Sequence, residues 1–152
     1  MQRNSIIIIC LFLINNFNVY NDLGQDSKEN FLVIPKIYLN EKIDLDITLD
    51  TGVEIHEISH NKKYPLVLMG HSGIGVNAVF NDLENLFVDD EIFIVTKDII
   101  YKYSILEIYD HIKGNTLEIE PNNTYLYLVT CDKKNLQKQL IFKAKFTKSA
   151  KI

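Results

Sequence analysis

The sequence predicts an all-β protein, closed into a barrel of about eight short strands with one or two short helices. Three observations lead there. Apolar residues recur with period two or in short runs, turn residues separate those runs at close intervals, and only one stretch carries helical spacing. A sheet of many short strands leaves unpaired edges unless it closes on itself, which favours the barrel.

In chain order, residues 31–39 (FLVIPKIYL) form a β-rich run that Pro35 demotes to an edge or bent strand. Ile43, Leu45, Ile47 and Leu49 alternate with Asp44, Asp46 and Thr48, the pattern of a half-buried strand. Residues 65–69 (PLVLM) are too short for a buried helix and predict a core strand. Phe80, Leu83 and Leu86 or Phe87 fall at helical spacing and predict a short amphipathic helix over one opening of the sheet. Residues 91–96 and 99–109 predict a hairpin about Thr96, Lys97 and Asp98. Pro121, Asn122, Asn123 and Thr124 signal a turn, and residues 125–131 and 139–146 form the last strand pair. On the final strand Leu140, Phe142, Ala144 and Phe146 share the core face. On the strand before it Tyr125, Tyr127, Val129 and Cys131 point one way and Leu126, Leu128 and Thr130 the other, which leaves Cys131 at a strand end.

At 152 residues the chain is long enough for one well-buried domain, and 47% hydrophobic with 24% charged residues is the composition of a folded globule. The formal charge is -4, and Arg3 is the only arginine. That excludes a nucleic-acid surface, which requires clustered positive charge to neutralise phosphates.

The opening residues MQRN and the apolar run from Ile6 to Ile14 have the form of a secretory signal, and the run is short for an ordinary span of about twenty residues. The asparagine-rich exit at 15–18 has no small-residue cleavage site, which favours an uncleaved anchor at the cell membrane. Arg3 then stays in the cytoplasm and the rest of the chain lies outside the membrane. Cys10, preceded by Ile9, lacks the setting of a lipoprotein cysteine and reads as an apolar filler. The expected organisation is a signal or anchor segment at 1–20, a linker at 21–30 and a domain at 31–152.

Chemistry centres on Cys131. A free cysteine is most often a small buried hydrophobe, but a strand end beside a loop gives a thiol access to solvent on a firm backbone. A thiol becomes nucleophilic beside a base, and histidine is the usual partner. Of the four histidines, His71 lies in a glycine-flanked turn (GHSG, 70–73) directly after the predicted strand, so like Cys131 it sits on a rim.

Residues 34–37 (IPKI), 66–73 (LVLMGHSG), the spaced Phe80, Leu83 and Leu86 followed by Asp90, Glu91 and Ile92, and 125–131 (YLYLVTC) together resemble the sortase family over residues 31–146. The resemblance implies an eight-stranded barrel and a thiol transpeptidase that uses no cofactor and no metal. It assigns His71 as acid or base and Cys131 as nucleophile, with Thr130 and Ser72, next to that pair in their motifs, binding substrate. The family's arginine is expected on the strand after the cysteine, eight residues on, where this chain has Gln139. Gln139 still donates hydrogen bonds through its amide, without the charge. The implied partners are secreted proteins with a C-terminal sorting signal resembling LPxTG, and an acceptor amine from cell-wall peptide or a pilin lysine. The missing arginine leaves a second reading, a catalytically impaired sortase-like surface binding domain.

A third reading comes from residues 56–60 (HEISH), which spell H-E-x-x-H; on an α-helix this puts His56 and His60 one turn apart to hold zinc, with Glu57 as base. The extended zinc-peptidase motif fails, because Lys63 and Leu66 stand where its glycine and third histidine belong. A surface loop is the expectation here. His111 beside Asp110 reads as a polar strand end, and the strand tyrosines as packing.

Overall fold

The computed structural model describes residues 19–23, 30–45 and 52–152. Its eight strands are β1 (Phe31–Ile34), β2 (Leu39–Asp44), β3 (Val53–Ile55), β4 (Leu66–Gly70), β5 (Glu91–Val95), β6 (Ile99–Ile112), β7 (Tyr125–Cys131) and β8 (Lys138–Lys151). They close into a barrel in the order β1-β2-β3-β4-β7-β8-β6-β5. The β2–β3 and β4–β7 neighbours are parallel, and every other pair is antiparallel.

Pro35 does more than bend its strand. It opens a 3-10 turn at Pro35–Ile37, after which Tyr38 takes a left-handed conformation (φ 54°) and the chain reverses, so that Ile34 pairs with Leu39. Proline suits the first position of such a turn because its φ is already set and its missing N–H has no partner to lose. Since β1 also pairs with β5, neither side of β1 is an open edge. The alternation expected up to Leu49 is seen as β2 as far as Asp44; residues 46–51 lie outside the described residues.

Phe80, Leu83 and Leu86 are buried as expected, but the turn that carries them is a 3-10 helix (Asn81–Asn85). A spacing of three residues matches the three-residue turn of a 3-10 helix as well as one face of an α-helix. Phe87 stays 65% exposed, with the Lys36 ammonium 4.7 Å from its ring centroid. β6 and β8 run longer than expected: β6 reaches Ile112, β8 continues to Lys151, pairing with the start of β6, and their pairing shifts register at Lys102/Tyr103 and Ile105/Glu107.

Two apolar layers result. Leu32, Ile34, Leu68, Ile92, Tyr103, Leu128 and Phe142 belong to the barrel interior, and Phe146, on the core face of β8, packs against them. Outside the barrel, Val67, Tyr127, Val129 and Ile141 form a second cluster covered by Ile58, Leu117 and Ile119. Burial on both faces is why β4 and β7 are nearly continuous apolar runs instead of alternating ones. A short α-helix, α1 (Val19–Asp22), packs against the barrel through Val19 and Leu23, and Tyr101 Oη donates to the Asp22 carboxylate. Part of the expected anchor and linker is therefore docked on the domain; residues 1–18 and 24–29 lie outside the described residues. No helix among the described residues is long and apolar enough to cross a membrane.

Candidate active site

The site is built from three adjacent strand ends. In the parallel β4–β7 pair, Leu66 faces Leu126 and Met69 faces Val129, and the same offset continued past the end of β4 sets His71 against Cys131, the last residue of β7. In the antiparallel β7–β8 pair, Cys131 faces Gln139. His71, Cys131 and Gln139 thus follow one another across three neighbouring strands. Cys131 and Gln139 lie on the same outer face as Val129 and Ile141, because side chains two residues apart share a face.

These positions are held firmly. A Cβ on Gly70 would lie 2.7 Å from the Phe80 ring, so only glycine lets β4 end against that ring. Phe80 N–H then donates to the His71 carbonyl at 2.9 Å. Thr130 Oγ1 donates to the Gly70 carbonyl (2.8 Å) and Ser72 Oγ to the Cys131 carbonyl (2.5 Å), two hydroxyl ties that join the end of β4 to the end of β7. Beyond them, Gly73 N–H donates to Asn81 Oδ1 and Asn81 Nδ2 to the Gly73 carbonyl. Lys133, in the β7–β8 connection, donates to the Asn81 carbonyl and pairs with Glu84 at 2.8 Å, which lowers the Glu84 carboxyl below its ordinary value.

His71, Cys131, Gln139 and Thr130 line one cavity of about 140 Å³, together with Met69 and Glu54. His71 is exposed and Cys131 partly exposed, so both reach solvent. A second cavity of about 250 Å³ shares Met69, Val129 and Gln139 with the first and continues to Leu117 and Ile119. The pair forms a groove over the outer face of β4 and β7, mostly apolar along its length, with His71, Cys131 and Glu54 at one end and His56 at the other. Of the residues the family resemblance assigns to the site, Ser72 is the one outside this cavity lining. The hydroxyl protons of Ser72 and Thr130 are used inside the protein, which leaves each oxygen only its acceptor lone pairs for a substrate.

The family model of the sortase domain matches residues 32–147. The chain belongs to the sortase family. Among solved structures it is similar to sortase A of Listeria monocytogenes (18% identity, TM-score 0.71, covering 84% of this chain and 92% of that one). It is similar too to the sortase D5 transpeptidase of Clostridium perfringens (24% identity, TM-score 0.65, 88% and 91%). A third is sortase C of Streptococcus pneumoniae (14% identity, TM-score 0.72, 100% and 92%). No curated protein matches the chain. Sortases are cysteine transpeptidases, and this one has the eight-stranded closed barrel expected of the family.

The H-E-x-x-H segment stays outside this sortase's cavity of His71 and Cys131, although His56 and Ile58 line the second cavity beyond it. It folds as a 3-10 turn (Glu57–His60) preceded by His56, whose Nδ1 accepts from Ile58 N–H, while the His60 ring packs on Tyr20 at 4.8 Å. The α-helical one-turn relation that a zinc pair requires is absent, because the 3-10 winding turns faster. Ser59 of the same turn is buried and accepts from Val67 N–H, which ties the segment to β4. Sequence reasoning missed Glu54, a carboxylate only 3% exposed on the cavity wall. Its signal was the triplet Val53, Glu54, Ile55, with a charge between two core residues.

Proposed function

We propose that this sortase cleaves a C-terminal sorting signal of the LPxTG type in secreted proteins and joins the new carboxyl end to an amine of cell-wall peptide or a pilin. The single observation that carries this is the shared cavity of His71, Cys131 and Gln139, opening into an apolar groove. In this reading the Cys131 thiolate adds to the scissile carbonyl carbon, and the resulting oxyanion takes a hydrogen bond from the Gln139 amide. The C–N bond then breaks, His71 gives its proton to the departing amine, and a thioester remains on Cys131. An acceptor amine attacks that thioester, a new amide forms, and the thiolate and imidazolium pair is restored. Thr130 and Ser72 accept from substrate N–H groups beside the thiol. The apolar residues 6–14 hold the enzyme at the cell membrane with its domain outside, where tethered substrates pass.

Incubation with an LPxTG-type peptide and an amine acceptor tests the reading. The expected products are a released C-terminal fragment and an N-terminal fragment extended by the amine. No product from the parent protein favours the surface binding domain instead. Gln139→Arg is expected to raise the rate about tenfold, since a charge-assisted donor is roughly twice as strong as a neutral amide. Steady-state kinetics on the two proteins measure it, and an unchanged or lower rate contradicts the role given to Gln139.

A further inference from the structure

We propose that His56 sets the specificity of this sortase at the leading residue of the sorting signal, where its Nε2–H selects a neutral amide side chain over leucine. The inference rests on the reading of Cys131 as the acylated nucleophile, with the signal lying in the outer groove.

Register places the side chain. Glu54 faces Met69 and Ile55 faces Leu68 in the β3–β4 pair, and His56 N–H continues the ladder to the Val67 carbonyl at 2.9 Å. Opposed residues project from the same face, so His56 stands beside Val67 on the outer face of the barrel. There it lines the second cavity with Ile58, Leu117 and Ile119. Val67 pairs with Tyr127, four residues before Cys131, which sets His56 back from the thiol by about 13 Å along the strands and about 10 Å across them. An extended peptide rising about 3.3 Å per residue covers that distance with about three residues and the reach of one side chain. The departing half of the signal leaves past His71, which is exposed next to the exposed residues 73–77, whereas the acyl half stays on Cys131 until the acceptor arrives. The groove therefore takes the acyl half, and its leading residue meets His56.

The local fold also fixes the tautomer. His56 Nδ1 accepts from Ile58 N–H at 3.2 Å, and a backbone N–H can only donate, so Nδ1 is bare and the neutral ring carries its hydrogen on Nε2. Nε2 points away from Nδ1 across the ring and has no hydrogen-bond partner among the described residues, while His56 itself is partly exposed. Among the residues lining the second cavity, His56 and Gln139 are the two with polar side chains, and Gln139 belongs to the thiol end. A leucine seated against His56 strips water from Nε2–H and returns no bond. A side-chain carbonyl on a short apolar stem fills the same space and accepts that hydrogen. A carboxylate gains the bond too, but it brings a negative charge into a groove that already holds Glu54 and has no lysine or arginine in its lining.

Cleavage of three LPxTG-type peptides that differ only in leucine, glutamine or glutamate at the leading position tests this. The parent is expected to take the glutamine peptide about tenfold better than the leucine peptide in kcat/KM, with glutamate below glutamine. His56→Phe keeps a ring in the groove without the donor, and is expected to reverse the order to leucine over glutamine. In His56→Ser the hydroxyl still accepts from Ile58 N–H but stops short of the groove, so the two peptides are expected to fall within about twofold of each other. That variant decides if His56→Phe does not fold. A parent that prefers leucine or glutamate overturns the proposal. So does a glutamine preference that survives the substitutions, or equal slowing of both peptides, which would make His56 a cap for its turn or a donor to the substrate backbone. If no peptide of the series is cleaved, the functional reading fails, and the relative affinities of the glutamine and leucine peptides for the parent and His56→Phe decide the role of His56 separately. Absence of affinity for either peptide overturns both.

Discussion

Cys131→Ala is expected to abolish thioester formation and reduce peptide cleavage at least about a thousandfold, and His71→Ala to reduce it about 10²–10⁴-fold. The two losses arise from different steps. Without the sulfur no acyl group can be carried, whatever the rest of the groove does. Without the imidazole the thiol remains on its strand end, but nothing pairs with the thiolate or supplies a proton to the departing amine. Because nucleophile and acid–base group act as a unit, the double variant is expected to be no slower than Cys131→Ala alone. Stopped-flow or discontinuous assays of cleavage on the three variants provide the check. Additive losses would mean that His71 works independently of the thiol, against the shared cavity that places them together.

The second large effect lies in the core. Phe80→Ala is expected to cost about 3–5 kcal/mol of stability, the usual range for deleting a buried phenyl group. Phe80 is 1% exposed, its ring closes against Gly70, and its backbone N–H donates to the His71 carbonyl. A cavity there frees the strand end on which the imidazole stands, so the activity per folded molecule is expected to fall as well. Denaturant melts give the first quantity, and turnover normalised to folded protein gives the second. Loss of stability with full specific activity would show that His71 is held by its other contacts, the ties through Ser72 and Thr130 among them.

Much of this fold is legible in the sequence because strand faces and turn residues are local signals. The β7 boundaries, the hairpin about Thr96–Asp98 and the buried positions of the 80–86 turn follow from period and punctuation alone. Pairing partners are not local. Nothing within residues 66–70 says that they run parallel to residues 126–129, and that long-range choice is what sets His71 beside Cys131. The family resemblance supplied that step. The outer apolar cluster was illegible for a related reason: Leu117 and Ile119 lie in a segment without strand periodicity, and only its return over β4 and β7 gives them something to cover. The H-E-x-x-H segment shows the opposite failing, a pattern with a strong meaning on an α-helix that loses that meaning when Ser59 and Val67 draw it into a 3-10 turn. His111 reads in the sequence as a strand end, and its position beside Gln139 emerges only from the β6–β8 register.

The central claim is that one sulfur carries the acyl group. The most direct measurement is intact-mass analysis of the protein quenched during turnover of an LPxTG-type peptide, followed by mapping of the modified fragment. The expected result is a mass gain equal to the N-terminal part of the peptide, removed by hydroxylamine and located on Cys131. Turnover with the acyl group on another residue, or with the same turnover retained in Cys131→Ala, contradicts it.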